Sequence, residues 1–220
     1  MTGIPGRILI AGASSRGMAE SAVRAGYHVI ALDAYGDLDQ QRLASSVSLR
    51  RDLGLRYTPG TIARASRRFE CDGVVYLSGL ENHPDAVRLL AEGRRLWGNP
   101  PNVLRLVRRP ETLAHALHHR GFLIPALGPA PRTMATCSDR WLLKPRGSGG
   151  GHGIVPWTEG QRVPRSAYVQ ERISGVPGSV IFTADGVRAI PIGFSRQLVG
   201  DRSFGVTGFR YAGRDRKSVV

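Results

Sequence analysis

Apolar and polar positions alternate along this chain in two different styles. Arg7-Ile8-Leu9-Ile10-Ala11 is a continuous apolar run that predicts a strand buried on both faces. The turn Gly12-Ala13-Ser14-Ser15-Arg16-Gly17 follows. Residues 18–25 then carry a helical spacing closed by Gly26, and His28-Val29-Ile30-Ala31-Leu32-Asp33 predicts a second strand. A strand, helix and strand in this order imply parallel pairing through a right-handed crossover. The pattern continues with a weak strand over 46–49, a helix over 61–68 and the strand Gly73-Val74-Val75-Tyr76. A helix over 84–92 and a short strand at Leu96-Trp97 complete it. Residues 1–100 are expected to form an open α/β domain with a Rossmann-like parallel sheet.

Gly98-Asn99-Pro100-Pro101 concentrates turn formers and marks a boundary. Beyond it a helix is expected over 111–120, closed by Gly121, and then a proline-rich connector over 125–131. Short strands follow over 141–144, 154–157, 168–173, 179–183 and 187–194, separated by glycine turns. Asp185-Gly186 between the last two is a hairpin signal. This half is expected to be antiparallel α+β, with no internal repeat.

Composition adds limits. The chain has 220 residues, 41% hydrophobic and 22% charged, an ordinary globular balance. Its net charge is +14, from 31 basic and 17 acidic residues. The basic residues are dispersed, without a run that would make a nucleic-acid arm. Arginine replaces lysine almost throughout, as a GC-rich coding bias would produce, so the charge is a weak functional signal. The two cysteines, Cys71 and Cys137, lack metal-ligand spacing and make no disulfide framework. A reducing cytoplasm is the expected location. No signal-peptide pattern is present, and no stretch approaches the roughly 18 apolar residues of a membrane span.

Against this arginine-rich background, Lys144 is the only lysine among the first 216 residues. It stands in Trp141-Leu142-Leu143-Lys144-Pro145-Arg146, directly before Gly147-Ser148-Gly149-Gly150-Gly151-His152-Gly153. A compact ammonium on a strand, followed by glycines whose backbone N–H groups approach closely, suits a phosphate. About twenty residues on, Tyr168-Val169-Gln170-Glu171-Arg172-Ile173-Ser174-Gly175 reads as an apolar strand ending in polar groups. Such a strand offers backbone hydrogen bonds to an adenine edge, and Glu171 is suited to a ribose hydroxyl.

The first turn invites a dinucleotide reading, since it follows a strand, opens a helix and precedes Asp33. The dinucleotide fingerprint needs glycine where this chain has Ser14, because the backbone there approaches a pyrophosphate. Ser14, Ser15 and Arg16 remain candidates for a carboxylate or phosphate at the helix start.

In these motifs the sequence resembles the ATP-grasp superfamily, over nearly its whole length. The first domain resembles the domain that precedes ATP-grasp modules, and the helix after residues 102–110 resembles their linker. Lys-Pro-Arg-Gly-Ser-Gly-Gly-Gly-His-Gly resembles the phosphate-covering flap, and Val-Gln-Glu-Arg-Ile-Ser-Gly the adenine hinge. The opening Gly-Ala-Ser-Ser-Arg-Gly-Met-Ala-Glu-Ser-Ala and the later Arg-Gln-Leu-Val-Gly-Asp-Arg look like one subgroup, described as ATP-dependent carboligases related to biotin carboxylase. Some of its members accompany one-carbon metabolism.

The resemblance implies that Lys144 contacts ATP phosphates and that Gly147, Ser148, Gly149, Gly150, Gly151, His152 and Gly153 fold over them. It implies that Gln170, Glu171, Arg172 and Ile173 cradle the adenine. Where relatives carry a second phosphate-binding lysine, this chain has Arg109. The implied activity is magnesium-dependent carboxylate–amine ligation through an acyl phosphate, with small carboxylate and amine substrates. No nucleic acid or membrane is implied, and self-association is left open. Individual catalytic residues are not identified.

The family's acidic metal-binding pattern is not found here, so metal ligands are expected outside this chain. Asp185 and Asp201 read as turn residues. Arg196 and Arg210 are candidates for a phosphate or carboxylate. The expected division is 1–100, then 101–184 for the linker helix and nucleotide-binding part, then 185–214 for the start of an incomplete C-terminal lobe. Residues 215–220 are expected to be a non-native tail, because they can be encoded as GATCGGAAGAGCGTCGTG, a string that matches the start of a common sequencing adapter. As given, the chain is not expected to turn over. Two rival readings are a Rossmann-type NAD(P)-dependent oxidoreductase module and a non-enzymatic basic nucleic-acid-binding protein.

Overall fold

Every second residue of β1 (Arg7–Ala11) faces the same side of the sheet, and both sides are buried. Leu9 and Ala11 join one core with Leu32, Val74, Ile62, Val87 and Leu90. Ile8 and Ile10 join another with Ala19, Val29 and Ala31. An unbroken apolar run is the consequence of that two-sided burial. The computed structural model describes residues 6–77, 79–128, 140–158 and 160–215. The chain divides into two compact units, Met1–Arg109 and Pro110–Val220.

In the first unit β1 leads through α1 (Arg16–Arg24) to β2 (His28–Asp33), then α2 (Leu38–Leu43) and β3 (Ser45–Ser48). The chain continues through α3 (Pro59–Ala65) to β4 (Gly73–Tyr76), then α4 (Pro84–Ala91), β5 (Arg95–Leu96) and α5 (Pro101–Val107). The strands form one parallel sheet in the order β3-β2-β1-β4-β5. Thr58 caps α3 by accepting a 3.0 Å hydrogen bond from the Thr61 N–H, and Pro59 sets the first helical turn. α2 and α5 have no counterpart in the sequence reading. The boundary expected after residue 100 falls after Arg109, because Leu104 of α5 is buried in the first core.

A polar knot lies inside this unit. The Asp33 carboxylate is fully buried and accepts from the Ser15 N–H at 3.0 Å, the Tyr35 N–H at 3.0 Å and the Gly36 N–H at 2.8 Å. Ser15 Oγ lies 2.6 Å from Asp33 Oδ2 and 3.0 Å from Gln40 Oε1, while Gln40 Nε2 donates to Asp33 at 3.2 Å and to Ser46 Oγ at 2.9 Å. The knot ties the turns after β1 and β2 together.

The second unit opens with α6 (Pro110–His118). β6 (Trp141–Pro145) is the centre of an antiparallel sheet, with β7 (Val155–Pro156) and β8 (Ala167–Glu171) on its two sides. Leu142, Trp157, Ala167 and Val169 are buried there. On the far side of β8, Leu127 bridges Gln170, so the described end of the proline-rich connector is held as an extra edge. The connector from residue 129 onward and Cys137 lie outside the described residues. A second antiparallel sheet follows, in the order β11-β10-β9.

Its strands are β9 (Gly178–Ala184), β10 (Ala189–Val199) and β11 (Tyr211–Asp215). The expected hairpin turn forms at Asp185-Gly186, where Asp185 Oδ1 accepts from the N–H groups of Val187 and Arg188. β10 runs further than the sequence suggests, and β11 had no sequence signal. The backbone of Asp215, assigned above to the tail, pairs with Arg196. Residues 216–220 lie outside the described residues.

The glycine loop after β6 is seated on the segment that leads into β11. Gly150 O accepts from the Tyr211 N–H at 3.0 Å. Gly151 has φ +77°, and a Cβ there would collide with the Phe209 carbonyl oxygen. Gly153 has φ +73°, and a Cβ there would meet Pro145 Cγ at 2.9 Å. A side chain at either position needs both a left-handed backbone and a displaced neighbour.

Two stability predictions follow from these contacts. Asp33→Ala strands several buried donors and is expected to cost about 3 kcal/mol in urea unfolding, against less than about 1 kcal/mol for Arg16→Ala. Gly151→Ala is expected to lose about 2 kcal/mol or more in the same measurement. A neutral Gly151→Ala would show that the loop does not rest on Phe209.

Candidate functional site

The register of β6 on β8 brings one set of side chains to a single sheet face. Leu142 stands opposite Gln170 and Lys144 opposite Tyr168. Directly opposed residues of antiparallel strands share a face, and diagonal neighbours reach one another when their side chains are long. Lys144 Nζ donates to Gln170 Oε1 across this diagonal at 2.8 Å. The ammonium is 5.9 Å from the Tyr168 ring centroid. Arg146, two residues further along the chain, brings its guanidinium to 5.6 Å from the same ring. Both cations lie within cation–π range of one aromatic ring.

Lys144 is half-buried, and burial lowers its pKa below the ordinary lysine value. The cause is desolvation of the ammonium. Its hydrogen-bond partner is a neutral amide oxygen, so the local charge stays positive. Arg146 is different. Its fork grips the Glu111 carboxylate of α6 at 2.6 and 3.0 Å, which raises the guanidinium pKa. The Arg146 backbone N–H donates to Ser166 O at 2.8 Å.

The loop from residue 147 to 153 leaves the end of β6. Ser148 Oγ donates to His152 O at 2.6 Å and the His152 N–H donates to Gly149 O at 3.2 Å, which folds the loop onto itself. Gly147 and Gly149 have ordinary backbone angles and open space where a Cβ would stand. The protein's own packing therefore requires glycine at 151 and 153 and leaves it unexplained at 147 and 149.

The strand end expected to cradle adenine is partly engaged by the protein itself. The Glu171 N–H donates to Ala126 O at 2.9 Å and the Arg172 N–H to Arg140 O at 2.7 Å. The Glu171 carboxylate accepts from the Ala126 N–H at 3.2 Å and from Arg140 at 3.1 Å, and these bonds lower its pKa. Glu171 thus fastens the connector edge and is not presented to a ribose. The Arg172 guanidinium lies 5.7 Å from the Phe209 ring centroid. The Ile173 N–H has no partner among the described residues, and its side chain is exposed.

The other candidates are scattered. Ser15 is fully buried in the Asp33 knot, so it is not free for a ligand. Ser14 is exposed, and Arg16 pairs with Asp39 at 3.2 Å. Arg109 ends the first unit, whereas Lys144 belongs to the second. Arg196 lines an open apolar groove of about 690 Å³ with Val176, Val180 and Phe194, and Arg210 is exposed before β11. Asp201 accepts from the Ser203 N–H at 2.9 Å, and Asp185 serves its own turn. Among the described residues no group of three or more His, Cys, Asp or Glu could hold a metal ion. No described helix is long and apolar enough to cross a membrane. Tyr168 and Glu111 escaped the sequence reading, because strand register and the folding of α6 beside β6 bring them in. Arg146 had a local signal, its two-residue spacing from Lys144.

The fold is similar to that of known proteins. The ATP-grasp domain family matches residues 112–219. No curated protein matches the sequence. N5-carboxyaminoimidazole synthetase from Staphylococcus aureus, in its complex with ADP, is 19% identical with a TM-score of 0.61; the match covers 88% of this chain and 55% of that one. L-amino acid ligase from Bacillus licheniformis is 15% identical with a TM-score of 0.58, covering 97% of this chain and 56% of that one. Rhizobium etli pyruvate carboxylase is 15% identical with a TM-score of 0.68, covering 91% of this chain and 21% of that one. This chain therefore spans about half the length of the synthetase and the ligase. At such identities the likeness is one of fold. The Lys144 strand, its glycine loop and the Gln170 strand all lie inside the matched segment, so the part of the chain that carries the candidate site is an ATP-grasp domain.

Proposed function

We propose that this chain binds ATP at the Lys144 site and forms the nucleotide-binding part of a ligase that joins a carboxylate to an amine. The observation that carries the reading is a half-buried ammonium with a neutral partner at the foot of a loop whose Gly147 and Gly149 no packing explains. Open space at those two positions suits backbone N–H groups closing on a phosphate. The ADP complex of the Staphylococcus aureus synthetase, which shares the fold, supports the same ligand class. The Ile173 N–H is the donor proposed for the adenine edge, and Gln170 is assigned to holding Lys144. Arg109 stays a proposed second phosphate contact, and Ser14 with Arg16 a proposed substrate contact, with Ser15 withdrawn. The parallel sheet order supports the latter, since the turn after β1 lies where the connections diverge to the two sides. Arg196 and Arg210 remain proposed contacts to a carboxylate or phosphate.

The chemistry proposed is two displacements. A carboxylate oxygen attacks the γ-phosphorus, the bond from phosphorus to the ADP oxygen breaks, and an acyl phosphate forms. The amine nitrogen then attacks the acyl carbon, and phosphate leaves as the amide forms and a proton is released. Lys144 would stabilise charge on the phosphoryl oxygens throughout. An ion contact of this kind at about 4 Å is worth roughly 4 kcal/mol at an effective dielectric of 20. The described residues do not fit a magnesium site: Asp185 and Asp201 are engaged in turns, and no described group of three or more His, Cys, Asp or Glu could hold a metal ion. We also place the protein in the cytoplasm, on the strength of its two cysteines, which make no disulfide framework.

The decisive experiment is ATP titration calorimetry on the full chain. Lys144→Met is expected to weaken ATP about tenfold or more while adenosine binding holds; equal ATP affinity would remove Lys144 from the site. Gly147→Ala and Gly149→Ala are expected to leave stability unchanged or raise it by up to about 1 kcal/mol, and yet weaken ATP severalfold.

The pH dependence has a definite sign. A phosphate favours the charged lysine, so affinity is full below the free protein's Lys144 pKa and is lost as pH rises through the raised pKa of the complex. Because burial has already lowered the free value, binding in the alkaline range is expected to take up a proton. Calorimetry in buffers of different ionisation enthalpy reads that proton directly, and Lys144→Met should abolish it.

A further inference from the structure

Lys144 and Arg146 occupy alternate positions at one strand end and approach the same Tyr168 ring, at 5.9 and 5.6 Å. Their counterparts differ. Lys144 donates to the neutral Gln170 amide oxygen, whereas Arg146 makes a two-pronged ion pair with Glu111. That ion pair is solvent-accessible, with the Arg146 and Glu111 side chains 37% and 58% exposed. Exposed ion pairs contribute little, and a triphosphate offers the same planar fork two oxygens and more charge. Glu111 lies in the first turn of α6, where the helix N-terminus favours a carboxylate even without its arginine.

We propose that Arg146 is a second phosphate-binding cation of this site, and that Glu111 is an internal anion which occupies it until a nucleotide displaces the carboxylate. The inference rests on the reading of the Lys144 site as an ATP site. On binding, the guanidinium exchanges one anion for another while both cations stay within reach of the Tyr168 ring. Glu111 therefore sets a threshold for nucleotide affinity, and the exchange uncouples the start of α6 from β6.

The test is calorimetric titration of the full chain with ATP and, separately, with adenosine, in variants whose melting temperatures stay within about 3 °C of the parent. Arg146→Gln is expected to weaken ATP at least about fivefold and to leave adenosine unchanged, because only the phosphates meet the guanidinium. Glu111→Gln is expected to tighten ATP about two- to fivefold, and that gain should vanish in the Glu111→Gln, Arg146→Gln double variant, since nothing remains to be released. If Lys144→Met weakens ATP but Arg146→Gln does not, Arg146 only pins α6 and the proposal is overturned while the ATP site stands. If Arg146→Gln and Glu111→Gln both weaken ATP, the ion pair is needed intact and exchange is wrong. If neither Lys144→Met nor Arg146→Gln changes ATP binding, the site reading itself is overturned, and this proposal with it.

Discussion

The site depends on the hydrogen-bonded register between β6 and β8. That ladder sets Lys144 opposite Tyr168 and diagonal to Gln170. A slip by one residue would turn Lys144 to the other face of the sheet and separate it from both. The register is held from several sides: Leu142 and Val169 are buried, β7 pairs with the other edge of β6, and Leu127 bridges Gln170. An ammonium held half out of water is costly to maintain, and a neutral amide compensates it only in part. Such a charge favours an incoming anion, which is how local strand pairing serves the proposed nucleotide site.

The loop beyond that strand divides its glycines between two tasks. Gly151 and Gly153 have left-handed backbones and close neighbours, so they shape the loop and seat it near Phe209. Gly147 and Gly149 have neither, and a side chain there would meet open space. One stretch of sequence thus holds glycines that the fold requires and glycines left for the proposed ligand. The seating also links loop position to the pairing of β10 with β11, since the Gly150 carbonyl bonds to the first residue of β11.

The first unit has the parallel order of a doubly wound sheet, which many nucleotide-binding proteins share. Its details point away from a nicotinamide cofactor. The acidic residue after β2, which would meet a ribose in that reading, is Asp33, and five hydrogen bonds inside the protein surround it. Ser14 stands where close backbone approach would need glycine. A nucleic-acid reading rests on the +14 charge alone, and arginines such as Arg16, Arg51, Arg105 and Arg146 are paired with carboxylates.

What could be read from the sequence was whatever short-range periodicity and composition express. The two-sided burial of β1 and β2 was legible as unbroken apolar runs, the hairpin as Asp185-Gly186, and the proposed phosphate site as a lone lysine before clustered glycines. α2 and β11 were not legible, because one is a short polar helix and the other gains its order from pairing with β10. Within the site, Lys144 was visible, but its partners Gln170 and Tyr168 are set by register, and the Arg146–Glu111 pair joins residues 35 positions apart that only the fold brings together. Ser15 looked like a ligand residue in sequence, and only the folded chain revealed it to be sealed inside the Asp33 knot. Local pattern decides which segments form strands and helices. Which side chains meet across them depends on distances of closest approach that only the assembled fold defines.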